Sequence, residues 1–367
     1  MRSSDNHTSP FSPERRNFIQ KTGLAALAMA FPLPSFSMNF EGVSMGIVVH
    51  SYGARWNSKV PSEKYPGFEN ALQLINHCHQ IGAGGVQVGV NNWTSDFAKK
   101  VRDQRENLGM YLEGSIGLPK SKAEIDKFEK EVLASREAGA TILRTVCLSG
   151  RRYENFKTEA EFLDFKANSI LSLQWAEPIV RKHKMKLAVE NHKDWRAAEL
   201  VEIIKGMDSE WIGVTLDFGN NYSLLEKSED VIGLLAPYSF STHIKDMGVK
   251  SYSKGFLLSE VPLGEGIVDL KKGIELCRKY NPNITFNLEM ITRDPLEIPC
   301  LEEEYWVTFD NISGPELAGI LKMVREKSFS GELPYTRNLE PEQRLGFEEA
   351  NVLASLRYSK SELGLGK

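Results

Sequence analysis

Three carboxylates and one imidazole lie in sequence contexts of the same kind. Glu190 closes Leu187-Ala-Val-Glu190-Asn-His192, and Asp217 closes Val214-Thr-Leu-Asp217-Phe-Gly-Asn220. His243 lies in Ser241-Thr-His243-Ile-Lys245-Asp246, and Glu289 in Thr285-Phe-Asn-Leu-Glu289-Met. Each follows a short apolar or β-branched run, the mark of a buried strand that ends in a polar group. Taken singly, a strand-end Asp is commonly a helix cap, and a Glu or His is commonly paired with a neighbour. Brought to one place, three acids would repel one another and be poorly solvated unless a cation sat among them. Carboxylate and imidazole without thiolate suit one hard divalent ion, Mn2+ or Mg2+ first, with Zn2+ and Co2+ also able to fit. Open coordination positions would then face a substrate.

The elements that must position these groups alternate strand and helix. Eight strands are expected at 45–51, 85–90, 110–116, 141–146, 186–192, 212–218, 240–244 and 284–290. Amphipathic stretches separate them; Ser121 to Glu124 reads as a capping box opening a helix with Ile125, Phe128, Val132 and Leu133 on one face. Eight parallel strands with crossover helices close most economically as an α/β fold of the (β/α)8 barrel type, with the chemistry at the C-terminal rim of the strands. A doubly wound sheet would carry a Gly-rich turn after its first strand, where this chain has His50-Ser-Tyr-Gly-Ala-Arg-Trp56. The organisation expected is an export signal and linker at 1–40, one barrel domain at 41–300, and an extension at 301–367 packed on the barrel, its tail from about Leu333 mobile or peripheral.

With those strand ends on the page, and with Pro262-Leu-Gly-Glu-Gly266-Ile-Val-Asp269 after the seventh strand, the chain resembles the sugar phosphate isomerase/epimerase family of xylose isomerase-like barrels. The resemblance spans roughly Met45 to Pro299. It implies that Glu190, Asp217, His243 and Glu289 ligate one divalent metal and that the two glutamates flank the substrate. One subgroup, the ketose 3-epimerases, places a histidine three residues after the metal Asp and an arginine six after the metal His; here those positions are Asn220 and Val249, so the grip on substrate differs. His192 and Lys245 stand two residues beyond Glu190 and His243, on the same side of their strands by alternation. With Asn220 they are substrate-binding candidates, as are the first-half rim residues His50, Gln87, Glu113 and Arg144, with Trp93 or Trp195 as a stacking platform.

A metal at such a rim acts as a Lewis acid toward adjacent carbonyl and hydroxyl oxygens of a sugar, acidifying the intervening C–H. Glu190 and Glu289 are the candidate bases, one giving isomerisation and two opposed ones allowing epimerisation through an enediolate. The same groups would serve a lyase that cleaves 3-keto glycosides by β-elimination. A non-catalytic sugar-binding barrel is the remaining alternative, which retention of both glutamates argues against. The endonuclease type of barrel would need more rim histidines and a basic face; the chain has seven histidines and a net charge of -4, with no Lys/Arg block for a phosphate backbone.

The four cysteines are far apart and form neither a C-x-x-C pair nor a disulfide framework. At the N-terminus, Glu14-Arg15-Arg16-Asn17-Phe18-Ile19 precedes the apolar run Gly23 to Phe31, and Ala28-Met29-Ala30 offers a small-x-small cleavage site. That order resembles a twin-arginine signal, too short for a membrane span and without a lipid-anchor cysteine. The expectation is a periplasmic enzyme that meets the twin-arginine export machinery, takes a non-phosphorylated carbohydrate, carries no stable membrane anchor, and is compatible with a homo-oligomer.

Overall fold

The computed structural model describes residues 44–309 and 312–366; the expected export segment lies outside them. Eight parallel strands close a barrel: β1 (Gly46–Val48), β2 (Gly85–Gly89), β3 (Tyr111–Ser115), β4 (Ile142–Thr145), β5 (Lys186–Glu190), β6 (Ile212–Asp217), β7 (Ser239–Ile244) and, after two intervening strands, β10 (Thr285–Leu288). Neighbours pair in chain order, and β10 pairs with both β7 and β1 to close the ring. All eight expected strands are present, and all but β7 are somewhat shorter than their apolar runs. A run marks burial, whereas the ladder ends where the chain leaves for its loop.

The helices form where capping and amphipathic spacing coincide. Helix α1 (Ala71–Gln80) starts at Asn70, whose side chain accepts from the amides of Leu72 and Gln73, and buries Leu74, Ile75 and Cys78. The long α5 (Glu159–His183) opens with a Thr158/Glu161 capping box. Between α1 and α5 lie α2 (Ser95–Asn107), α3 (Ile125–Glu137) and the single turn α4 (Arg152–Asn155). The capping box expected at Ser121 is not made: the Ser121 side chain caps nothing, a 3-10 turn at Lys122–Glu124 intervenes, and the Glu124 side chain accepts from the Lys120 amide at 2.8 Å instead. Phe128 and Val132 of α3 are buried as expected, but Leu133 faces solvent.

Two features depart from a plain alternation. After β7 the chain makes an antiparallel hairpin, β8 (Asp246–Tyr252) and β9 (Gly255–Val261), joined by β11 (Leu296–Ile298) in a separate three-stranded sheet. The barrel resumes with α6 (Ala197–Met207) after β5, α7 (Ser228–Leu235) after β6, and α8 (Leu270–Tyr280) before β10; α9 (Gly314–Glu326) follows the small sheet. The tail, expected to be peripheral, is an ordered helix, α10 (Pro341–Glu362). Its Leu345 and Val352 are buried, and Glu348 accepts from the backbone amides of Ala54 and Arg55 just beyond β1. Pro and charge content pointed to a mobile or peripheral tail, whereas its buried side chains and the Glu348 contacts hold α10 against the chain just beyond β1.

Candidate metal centre

Position on the barrel rim follows from strand register. Asp217 lies opposite His243 across the β6/β7 ladder, and His243 lies opposite Asn287 across β7/β10, two residues before Glu289. Period-two alternation therefore turns Asp217, His243 and Glu289 to the same inner face, and Glu190 joins them from the end of β5. One ligand atom from each of Glu190, Asp217, His243 and Glu289 lies within 4.8 Å of the others, and all four are buried.

Local contacts aim each group. Asn191 imitates a strand backbone: its Nδ2 donates to the Asp217 carbonyl at 2.9 Å and its Oδ1 accepts from the Asp217 amide at 2.7 Å, extending the β5/β6 pairing past Glu190. Asp217 Oδ1 accepts from the Gly219 and Asn220 amides at 2.9 and 2.7 Å, which leaves Oδ2 turned to the centre, where it meets the Lys245 ammonium. His243 Nε2 contacts Gln87 Oε1 at 2.8 Å, while Gln87 Nε2 donates to Glu113 Oε2 at 2.8 Å. A carboxylate accepts only, so the Gln87 amide nitrogen must face Glu113 and its oxygen must take the His243 Nε2 hydrogen. His243 Nδ1 is then the nitrogen left to face the centre, buried without a hydrogen-bond partner, 3.4 Å from Glu190 Oε2 and 3.5 Å from Glu289 Oε1.

Cations brace the carboxylates. Arg144 Nε donates to Glu190 Oε2 at 2.7 Å, and Asn220 Nδ2 donates to Glu190 Oε1 at 2.9 Å. The Lys245 ammonium bridges Glu289 Oε2 and Asp217 Oδ2, 2.8 Å from the latter. Burial alone would raise Glu190 and Glu289; Arg144 in the first case and Lys245 in the second, with His243 in both, hold them well below the usual carboxylate range. Burial wins at Asp217, pushing it to about 6 against the pull of Lys245. His243 goes the other way: burial opposes its charge, but the two glutamates hold the imidazolium up to about 10. An imidazole proton, a guanidinium and an ammonium thus supply the positive charge these acids demand. Once that proton leaves, an imidazole nitrogen aimed at three carboxylate oxygens is the donor set of a divalent metal, so the residues fit such an ion.

The other sequence candidates divide. His50 Nδ1 lies 3.0 Å from Glu289 Oε1, and with Arg144, Trp56, Trp93 and Asn91 it lines an open cavity of about 700 Å3 at the β1–β4 side of the rim. Lys245 and Asn220 reach the centre, but their polar atoms are spent on the carboxylates, on each other and, at Asn220 Oδ1, on Lys193. β5 stops at Glu190, so strand alternation does not extend to His192; its ring nonetheless remains close enough to feel Glu190 and Glu289, and burial followed by Lys193 pushes it down to about 3, a neutral imidazole whose Nδ1 has no partner. Two expectations need correction. Glu113 does not face the cavity: it lies a layer deeper, its carboxylate taken by Gln87, Ser241, Thr285 and Asn287, and it serves His243 through Gln87. Trp195 is no sugar platform, being fully buried and stacked on Phe165 with ring centroids 5.0 Å apart.

Sequence reasoning missed Asn191, Lys193 and Asp246 as parts of the site. Asp246 accepts from the amides of Met247, Gly264, Gly266 and Val268, binding the 262–268 loop to the end of β7. A Cβ at Gly266 would collide with Asp246 Oδ1, so the glycine is required by close approach. The His-x-Lys-Asp and Pro-Leu-Gly-Glu-Gly stretches were each visible, but nothing local joined them.

Strand-end carboxylates and an imidazole gathered on one rim define a (β/α)8 barrel with a candidate metal centre. The chain belongs to the xylose isomerase-like TIM barrel family, whose profile matches residues 75–307. It is 23% identical over 271 residues to a 3-oxo-isoapionate decarboxylase of Pectobacterium atrosepticum, an alignment covering 71% of this chain and 92% of that protein. Among solved structures it is similar to a xylose isomerase-like TIM barrel protein from Mycobacterium smegmatis in complex with magnesium, at 16% identity and a TM-score of 0.52, covering 76% of this chain and 97% of the other. A D-psicose 3-epimerase crystallised in the presence of D-fructose is similar to the same degree, at 16% identity and TM-score 0.52, covering 77% and 96%. These structural likenesses show the fold.

Proposed function

We propose that this chain is a divalent-metal-dependent enzyme that isomerises or epimerises a non-phosphorylated sugar or sugar derivative through an enediolate. The observation that carries the reading is His243 Nδ1: buried, without a hydrogen-bond partner, and fixed by Gln87 toward three carboxylates beside an open cavity. A divalent ion held there supplies Lewis-acid polarisation of adjacent substrate oxygens. The chain's own residues do the rest. Arg144 and Lys245 keep Glu190 and Glu289 ionised. His50, half-exposed and bonded to Glu289, links that carboxylate to solvent for proton return. The neutral His192 ring offers a hydrogen bond to a substrate hydroxyl.

A second reading, bond cleavage, is favoured by one specific feature. Both glutamates are paired with buried cations and are therefore weak bases. Loss of carbon dioxide from a 3-oxo acid needs no strong base: the C–C bond breaks, its electron pair moves onto the carbonyl, and a proton then returns to carbon. The decarboxylase relative is named for such a reaction.

Proton NMR in D2O separates the readings, using Mn2+-loaded protein with free sugars, 3-oxo glycosides and 3-oxo sugar acids. Deuterium entering beside a carbonyl in a rearranged sugar supports the isomerase; release of carbon dioxide or an aglycone supports cleavage; saturable binding without exchange or product would make the barrel a sugar-binding protein.

Export is part of the same proposal, resting on Arg15-Arg16 and the apolar run after them. Replacing both arginines by lysine should retain the protein in the cytoplasm on fractionation, and unchanged periplasmic recovery would refute a twin-arginine route.

A further inference from the structure

We propose that Lys193 is the receptor for a carboxylate on the substrate, so that the substrate class is a sugar acid and not a neutral sugar. This rests on the metal-dependent sugar reading of the site given above.

The argument begins with an unbalanced charge. Lys193 follows Glu190 by three residues, is only 4% exposed, and has its Nζ donating to Asn220 Oδ1 at 2.6 Å. That acceptor is a neutral amide. Among the described residues no carboxylate lies within ion-pair distance of the Lys193 ammonium, whereas every other cation around the centre has one: Arg144 with Glu190, Lys245 with Asp217 and Glu289, Arg293 with Glu260. A buried ammonium without a counter-ion is costly, and proteins keep few of them outside functional sites. Its surroundings add to the cost. Burial first, and then Lys245 and Arg293, push Lys193 down to about 8.

The position is as informative as the charge. Asn220 Oδ1 accepts from Lys193 and also lies 3.4 Å from Lys245 Nζ, while Asn220 Nδ2 donates to Glu190. One amide therefore ties Lys193 to the rim of the metal centre and fixes its distance from two of the four ligands. Three of the ammonium's donor directions exist and one is used, which leaves donors for an incoming oxygen.

The missing counter-ion of Lys193 gives the class of ligand. A single ammonium matches a carboxylate monoanion. A phosphate ester would call for the cluster of backbone amides or arginines that normally cradles it. The candidate amides at the end of β6, those of Gly219 and Asn220, are already spent on Asp217.

Isothermal titration of the full chain tests this, with aldonates each compared with the alditol of the same carbon skeleton, and with the corresponding sugar phosphate. Mn2+-loaded wild type should bind at least one aldonate about tenfold or more tighter than its alditol and its phosphate ester, as a charge-assisted hydrogen bond in a buried site provides. Lys193→Met should erase that preference, Lys193→Arg should keep most of it, and Mn2+ affinity should stay within about threefold in both. Lys193→Met should also melt no lower than wild type, because it removes an uncompensated buried charge; a purely structural lysine would lower the melting temperature. Equal binding of acid and alditol to wild type, preference for the phosphate ester, or an undiminished preference in Lys193→Met would each overturn the proposal. Failure of Mn2+ to bind wild type would instead sink the metal reading, and the same titrations on the metal-free protein would still decide the role of Lys193.

Discussion

Gln87, from the second strand of the barrel, takes the Nε2 hydrogen of His243, from the seventh, at 2.8 Å, and that single bond turns the other imidazole nitrogen toward Glu190, Asp217 and Glu289. The orientation is passed down from Glu113, which fixes the Gln87 amide from below. A ligand histidine held through its distal nitrogen is more basic and cannot rotate away from the ion.

Replacing Gln87 by leucine should therefore weaken Mn2+ binding by roughly 10- to 100-fold while leaving all four ligands in place. Competition titration with a metal-sensitive dye reads this directly, and an unchanged dissociation constant would mean that Gln87 does not set the His243 tautomer.

Lys245 shares its ammonium between Asp217 and Glu289 at the centre of the acid cluster. Lys245→Met should cost the metal-free protein about 3–5 kcal/mol, because two buried carboxylates, Asp217 and Glu289, lose their principal cation. Saturating Mn2+ should raise the melting temperature of this variant more than that of wild type, since the ion replaces the missing charge. Equal shifts in the two proteins would refute the compensation.

The metal-free His243 imidazole holds its proton up to about 10, raised by Glu190 and Glu289 against the effect of burial. Any ion ligated at Nδ1 must displace that proton. Below about pH 10 the proton competes with the metal, so apparent Mn2+ affinity should rise with pH, by roughly tenfold per unit from pH 6 to 8 when one proton is released. Calorimetry in buffers of different ionisation enthalpy counts the protons; a release near zero would remove His243 from the ligand set.

Gly266 leaves room for Asp246 to gather three backbone amides of the loop after β9. Gly266→Ala should destabilise the fold by about 1–3 kcal/mol in urea unfolding, the cost of overpacking a filled site. A change below about 0.5 kcal/mol would show that the loop yields without strain.

The boundary between what was legible early and late is physical. Apolar runs ending in Glu190, Asp217, His243 and Glu289 are local signals, and the parity of a strand fixes which of its residues face inward, so eight strands and four candidate ligands follow from sequence alone. The hairpin of β8 and β9 had a local signal as well, alternating residues on either side of Ser253-Lys254-Gly255, but an eightfold alternation had no place for it. The remainder depended on contacts between segments distant in the chain. Whether Glu113 faces the cavity or lies beneath it depends on strand stagger around the ring, which no single strand encodes. That α10 covers the barrel depends on Glu348 meeting the amides of Ala54 and Arg55, nearly three hundred residues away in sequence. Lys193 reads in sequence as one of many surface lysines; only closure of the barrel buries it beside Asn220 and withholds a counter-ion. Local periodicity determined the elements and the candidate ligands, and long-range register decided which buried charges are balanced.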